Sequence, residues 1–337
     1  MRRLLLVLSA FTATAGSLPA QRADLDTHEW KVPWPNTRPR DPSVDLRGRV
    51  WFVGQVGNYI AYLDPESGKF SRFEIDSGTL PHSQIVDKQG MIWYSGNAAG
   101  MIGKLDPSTG KITRYRMPDP AVHDPHTMVF DRAGDIWFTA QQAGYVGHLD
   151  TRTGRINLLK VPTPRALPYG IWMDPKDRPW FAEFGSNRIA MIDPATMKIE
   201  EHVLPNPKSR PRRLTITSDG SIWFTDYSLG SLGHLEPASG AVEEWPSPSG
   251  GVTLPYGLTV DDRDRVWFAE TGKQPNHLVA FDTRSKTFVA NQPVGNAAAN
   301  TIRYIIYRAP THEIWYGSDL NMIGRVRVPA TLAPLVP

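Results

Sequence analysis

The chain has 337 residues, with 37 Lys and Arg against 34 Asp and Glu, and no cysteine. Its 40% hydrophobic and 21% charged content marks a globular chain, and the missing cysteine excludes disulfides, thiolate metal sites and a thiol nucleophile. Its 28 glycines and 30 prolines, spread along the whole length, point to many turns rather than to one linker.

The N-terminus comes first. Met1-Arg2-Arg3, the apolar run Leu4 to Leu8 and small residues through Ala20 have the layout of a secretory signal peptide over residues 1–20. Cleavage after Ala15 or after Ala20 fits equally well. Losing Arg2 and Arg3 leaves 35 basic against 34 acidic residues. A near-neutral mature chain speaks against a nucleic-acid partner. The run is too short to span a bilayer, and no later segment reaches the needed length. The expectation is a secreted or periplasmic monomer with no membrane span.

From there the chain repeats. A Trp followed by an aromatic recurs at Trp51, Trp93, Trp137, Trp180, Trp223, Trp267 and Trp315, at spacings of 42, 44, 43, 43, 44 and 48. Seven of the eleven tryptophans thus hold one repeat position. Each repeat opens on a Pro-X pair and a short apolar strand, such as Pro81-His82. An Asp/Gly turn leads to the Trp strand and then to an alternating strand such as Met101 to Leu105. A turn such as Asp106-Pro107-Ser108-Thr109-Gly110, with Pro early and Gly late, leads to a last strand, here Lys111 to Pro118. Four short strands per unit of about 43 residues predict an all-β, seven-bladed propeller with four-stranded antiparallel blades.

The last repeat has three strands, over Thr301 to Tyr307, Glu313 to Gly317 and Met322 to Val328. The segment His28 to Pro33 reads as the missing fourth, so the N-terminal strand is expected to complete the last blade and leave no open edge. This gives one propeller domain over residues 28–329 and a C-terminal tail over 330–337.

In such a ring the innermost strands line a tunnel, and the residue after the recurrent Pro faces one mouth. Reading it round the ring gives Ser43, His82, His126, Tyr169, Arg212 and Tyr256, with Arg303 in the seventh blade. A second set, three or four residues beyond each Trp, comprises Gln55, Asn97, Gln141, Glu183, Asp226, Glu270 and Asp319. Carboxylates converging from separate blades would suit a hard cation such as Mg²⁺ or Ca²⁺, or would pair with Arg212, Arg213 and Arg303. His148 and His234 stand where other repeats carry Lys104 or Arg325, which reads as a solvated face.

The repeated IWFT and VWFAE strands, the I-G-x-L strands after them and the Pro-His pairs resemble the virginiamycin B lyase family of seven-bladed propellers, over essentially the whole chain after the leader. The resemblance implies a Mg²⁺-assisted elimination that opens a cyclic depsipeptide antibiotic at its ester bond, an activity that confers antibiotic resistance. The family's Pro-His falls on His82, its Glu-Pro-His on Asp124-Pro125-His126, and its later Glu on Gln141. It implies His126 as general base, His82 as acid or positioning group, and Arg212 or a metal stabilising the enolate. Tyr169, Tyr256 and Arg303 would contact a small-molecule or cyclic-peptide substrate, and the metal set would be Asp124 and Gln141, extended by Glu183, Asp226 and Glu270. Two departures stand out: one carboxylate is an amide here, and these blades come early in the chain. Two other readings stay open, a metal-dependent lactonase or esterase and a non-catalytic propeller that binds a peptide, glycan or protein at its mouth.

Overall fold

The computed structural model describes residues 25–295 and 300–335. The signal segment and its two candidate cleavage points lie outside the described residues. Seven four-stranded antiparallel sheets form the molecule, and in six of them the strands follow one another in chain order. No helix among the described residues is long and apolar enough to cross a membrane.

The seventh sheet closes the ring as the repeat count requires. Thr27–Lys31 pairs antiparallel with Met322–Arg327, beside Glu313–Ser318 and the inner strand Ile302–Arg308. Asn321 secures the join. Its Nδ2 donates to the carbonyls of Val32 (3.0 Å) and Trp34 (2.6 Å), while its Oδ1 accepts from Thr37 N (3.1 Å) and Thr37 Oγ1 (2.7 Å). Its φ of 65° suits asparagine, which tolerates the left-handed region better than most side chains. The segment beyond Val328 packs on the ring: Leu332 lies against the apolar cluster between blades six and seven, and Leu335 N donates to Phe288 O at 2.8 Å.

The repeated Trp anchors each blade. Trp51, Trp93, Trp137, Trp180, Trp223, Trp267 and Trp315 are all buried, and several pack across to the next blade, as Trp51 does with Tyr94 and Met101. Truncating such a side chain to Ala costs about 3–5 kcal/mol. Four indoles donate to an Asp six residues earlier: Trp51 to Asp45, Trp93 to Asp87 and Trp267 to Asp261 at 2.9 Å, and Trp180 to Asp174 at 3.1 Å. The same Asp accepts backbone N–H groups of its own turn, so one carboxylate fixes both turn and indole.

The I-G-x-L pattern has a steric cause. The aromatic after the Trp lies across the third strand, so a Cβ at Gly147 would sit 2.1 Å from Phe138 Cζ, and one at Gly324 2.1 Å from Tyr316 Cζ. The residue after that Gly covers the indole instead of facing only water. His148 and His234 lie 4.5 and 4.6 Å from the Trp137 and Trp223 rings, and Lys104 Nζ is 4.7 Å from Trp93.

Inner strands neighbour one another around the axis. Six of them begin at one mouth with the recurrent Pro and the seventh with Ile302, and most end at the opposite face on an Asp turn. The first blade corrects the sequence alignment. Pro39 pairs with Gly54 as Pro81 pairs with Gly96, while Ser43 pairs with Trp51 as Ile85 pairs with Trp93. The mouth position of blade one is therefore Arg40. Ser43 sits deeper, with its hydroxyl donating to Gln84 Oε1 at 3.0 Å.

Candidate functional site

Seven side chains, one per blade, stand at the mouth: Arg40, His82, His126, Tyr169, Arg212, Tyr256 and Arg303 all line one cavity of about 270 Å³. Backbone register places them, because each follows the first residue of its inner strand. Six match the sequence reading and Arg40 replaces Ser43. Pro39 stands twelve residues before Trp51, as Pro81 does before Trp93, so the spacing held the correct choice over Pro42.

The imidazoles of His82 and His126 lie together, with centroids 3.5 Å apart, and His126 is 4.3 Å from the Tyr169 ring. Burial, then Arg40, His126, Arg213 and Arg303, hold His82 well below the usual imidazole range. Burial, then Arg213, Arg40 and Arg212, do the same to His126. Both rings are therefore neutral at neutral pH. His126 Nδ1 is 2.9 Å from Thr127 Oγ1, which also accepts from Arg213 Nη1 at 3.1 Å.

The hydroxyls of Tyr169 and Tyr256 hydrogen-bond to each other. Burial alone would push the Tyr169 hydroxyl up, but Arg212, Arg40 and Arg213 outweigh it and, with the Tyr256 hydrogen bond, bring its pKa down. Arg212 is the closest of these cations. Its guanidinium carbon lies 3.6 Å from the Tyr256 centroid, 4.4 Å from Tyr227, 4.6 Å from Phe184 and 5.1 Å from Tyr169. Such a cage of ring faces favours the cation without neutralising it.

The second set of residues divides by one position of register. Gln55, Asn97 and Gln141, four residues beyond their Trp, line the cavity, and Asp319, at the same offset, holds Arg303 at 2.6 Å. Glu183, Asp226 and Glu270 stand three residues beyond theirs and are the last residues of their strands. Successive strand side chains face opposite ways, so these three do not converge on the mouth. Glu183 accepts from Ser186 Oγ at 2.8 Å, and burial, with Glu201 adding, raises its pKa. Asp226 accepts from Ser209 Oγ and from the backbone N–H groups of Arg210, Ser228 and Leu229. Glu270 lies by Ser249 and is raised by burial. At the inward offset blades four and five carry Phe184 and Tyr227, two walls of the Arg212 cage that the sequence reading passed over.

The mouth does not suit a divalent cation. Arg38, Arg40, Arg212 and Arg303 line the cavity with Asp124 as its one carboxylate, and both Asp124 oxygens already accept backbone N–H groups, from Gln142 and Ala143. Gln141 brings no charge. Among the described residues, a group able to bring three ligand atoms together is Asp131, Asp135 and His148, at the far end of the inner strand from His126.

Comparison with known proteins places the chain. The model of the virginiamycin B lyase family matches residues 11–280 and 76–333. The chain belongs to the virginiamycin B lyase family. Among solved structures, virginiamycin B lyase from Staphylococcus aureus superposes with a TM-score of 0.81 at 23% identity, over 91% of this chain and 100% of that one. A streptogramin B lyase gives a TM-score of 0.80 at 27% identity, over 92% of this chain and 98% of that one. A catalytically inactive form of the Staphylococcus aureus enzyme with quinupristin gives 0.82 at 24% identity, over 91% of this chain and 100% of that one. No curated protein sequence matches the chain.

Proposed function

We propose that this chain is an exported lyase that opens a carbon–oxygen bond of a cyclic ester or depsipeptide by elimination at the propeller mouth. The observation that carries the reading is the closely packed His82–His126 pair beside Tyr169 and Arg212 in one cavity of a member of this family. The relative solved with quinupristin supports a small ligand at such a fold.

The roles follow from charge and proton inventory. His126 is the base. In the tautomer that donates Nδ1–H to Thr127 Oγ1, its Nε2 is bare and takes the proton beside the ester carbonyl. The enolate that forms carries negative charge, and the guanidinium of Arg212 stabilises it. A neutral His82 carries only a very weakly acidic N–H, so it serves to position His126 by packing against its ring. Protonation of the departing oxygen falls to Tyr169, whose hydroxyl is made more acidic by the same arginines. The C–H proton ends on His126, the new C=C forms as the C–O bond breaks, and Tyr169 is restored from His126 through solvent. No step is routed through Mg²⁺, because the donor set around the cavity does not fit it.

The test is mass spectrometry of a streptogramin B antibiotic after incubation with the mature protein, with and without EDTA. Ring opening at unchanged mass with a new double bond, insensitive to EDTA, is the expected result. A product heavier by one water means hydrolysis, and an intact ring removes this substrate class; either result overturns the reading.

A further inference from the structure

The mouth carries more positive charge than the elimination needs. Five guanidiniums, Arg38, Arg40, Arg212, Arg213 and Arg303, gather at or just below the cavity. Three carboxylates face them, and two of these are tied to particular partners. Asp319 holds Arg303 at 2.6 Å and lies 3.8 Å from Arg38. Asp41, buried below the mouth, lies 3.7 Å from both Arg40 and Arg213. Asp124 is spent on backbone N–H groups. The two histidines are neutral and add no charge.

Arg212 is the cation with no carboxylate partner. Among the described residues no carboxylate lies within salt-bridge distance of it, and its neighbours are four aromatic rings. Its Nε is buried without a hydrogen-bond partner, and its side chain lines the open cavity. Arg40 is similar. It is only 6% exposed, its Nη1 donates to Gln55 Oε1 at 3.1 Å, and its Nε and Nη2 have no hydrogen-bond partner. A buried guanidinium with unused donors is costly unless an anion completes it. Aromatic faces hold Arg212 in place and only Tyr169 engages its N–H groups, which leaves most of the planar fork for an incoming pair of oxygens.

We propose that the mouth is an oxyanion-binding site, centred on Arg212 with Arg40, Arg303 and Arg38 around it, which takes a carboxylate or sulfate group carried by the ligand. The ligand is an organic acid or an acidic sugar rather than a neutral cyclic peptide alone. The site shares Arg212 and the cavity with the elimination reading but goes beyond it, and its test is separate because it reads equilibrium binding without turnover.

The test is isothermal titration of the mature protein with citrate as carboxylate probe and with sodium sulfate as tetrahedral probe, repeated with MgCl₂ present. The expected result is saturable one-to-one binding of at least one anion, weakened at raised NaCl and not displaced by Mg²⁺. Arg212→Met is expected to weaken it at least about tenfold. Arg38→Gln, at an exposed position, is expected to weaken it about two- to fivefold. Thermal unfolding of each variant verifies that the ring is intact, and if Arg212→Met does not fold, Arg303→Gln takes its place. Citrate alone, sulfate alone or both binding identifies the group recognised and supports the site. Binding of neither anion, or anion binding unchanged in Arg38→Gln and in the folded one of the other two variants, overturns it.

Discussion

The imidazoles of His82 and His126, on neighbouring blades, pack with centroids 3.5 Å apart and planes inclined at 34°. Two rings this close, buried and ringed by arginines, cannot both take a proton without strong mutual repulsion, so the site is built to keep them neutral.

That arrangement makes the fold acid-sensitive. The folded pKa of each ring is below its unfolded value near 6.5, so the unfolded chain binds protons first as pH falls. Stability is then fully present above about pH 6.5 and is lost below it, at about 1.4 kcal/mol per pH unit for each ring. Urea midpoints between pH 7.5 and 5 are expected to fall, and to fall less steeply in His82→Gln. An unchanged slope in that variant would show that the ring titrates normally.

Tyr169→Phe tests the proton donor. Removing the hydroxyl keeps the ring against His126 and Arg212, so KM is expected to hold while kcat drops about 10²- to 10⁴-fold. A rise in KM with kcat intact would instead make Tyr169 a binding residue.

Asn321 is the clasp of the ring. Its four hydrogen bonds join the N-terminal strand, the start of blade one and the last blade. Asn321→Ala is expected to lower stability by about 2–4 kcal/mol, read from urea unfolding, because buried backbone groups lose their partners. A loss below about 0.5 kcal/mol would show that the strand pairing holds the ring without it.

Blade five lacks the Asp that anchors the indoles of blades one, two, four and six. Thr217 stands six residues before Trp223, and the Trp223 Nε1 has no partner. Thr217→Asp combined with Asp219→Asn, which avoids a like-charge pair, is expected to add about 1 kcal/mol. An unchanged melting temperature would show that the indole is already satisfied.

Glu183 gives a prediction of opposite sign to the histidines. Burial raises its folded pKa above the unfolded value of 4.5, so the stability it contributes is present below that value and is lost as pH rises through the folded pKa. Glu183→Gln, neutral at every pH, is expected to raise Tm by about 2–4 °C at pH 8 and by less at pH 5. Equal shifts at both values would point to packing rather than charge.

The repeat of Trp and Pro was enough to establish seven blades, their strand order and the closing N-terminal strand, because those features follow from local period and turn chemistry. The same repeat located six of the seven mouth residues. It placed Ser43 where Arg40 stands, since Pro39 and Pro42 both offer a Pro-X pair; the twelve-residue spacing to Trp51 favours Pro39, and its pairing with Gly54 settles the register. It also merged Glu183, Asp226 and Glu270 with Gln55, Asn97 and Gln141 into one set. A strand turns every next side chain to its other face, so one residue of offset separates an inter-blade carboxylate from a mouth residue. The charge of the site was hidden for the same reason. Arg40, Arg212 and Arg303 are 263 positions apart from first to last in the sequence, and only the closed ring brings them to one cavity.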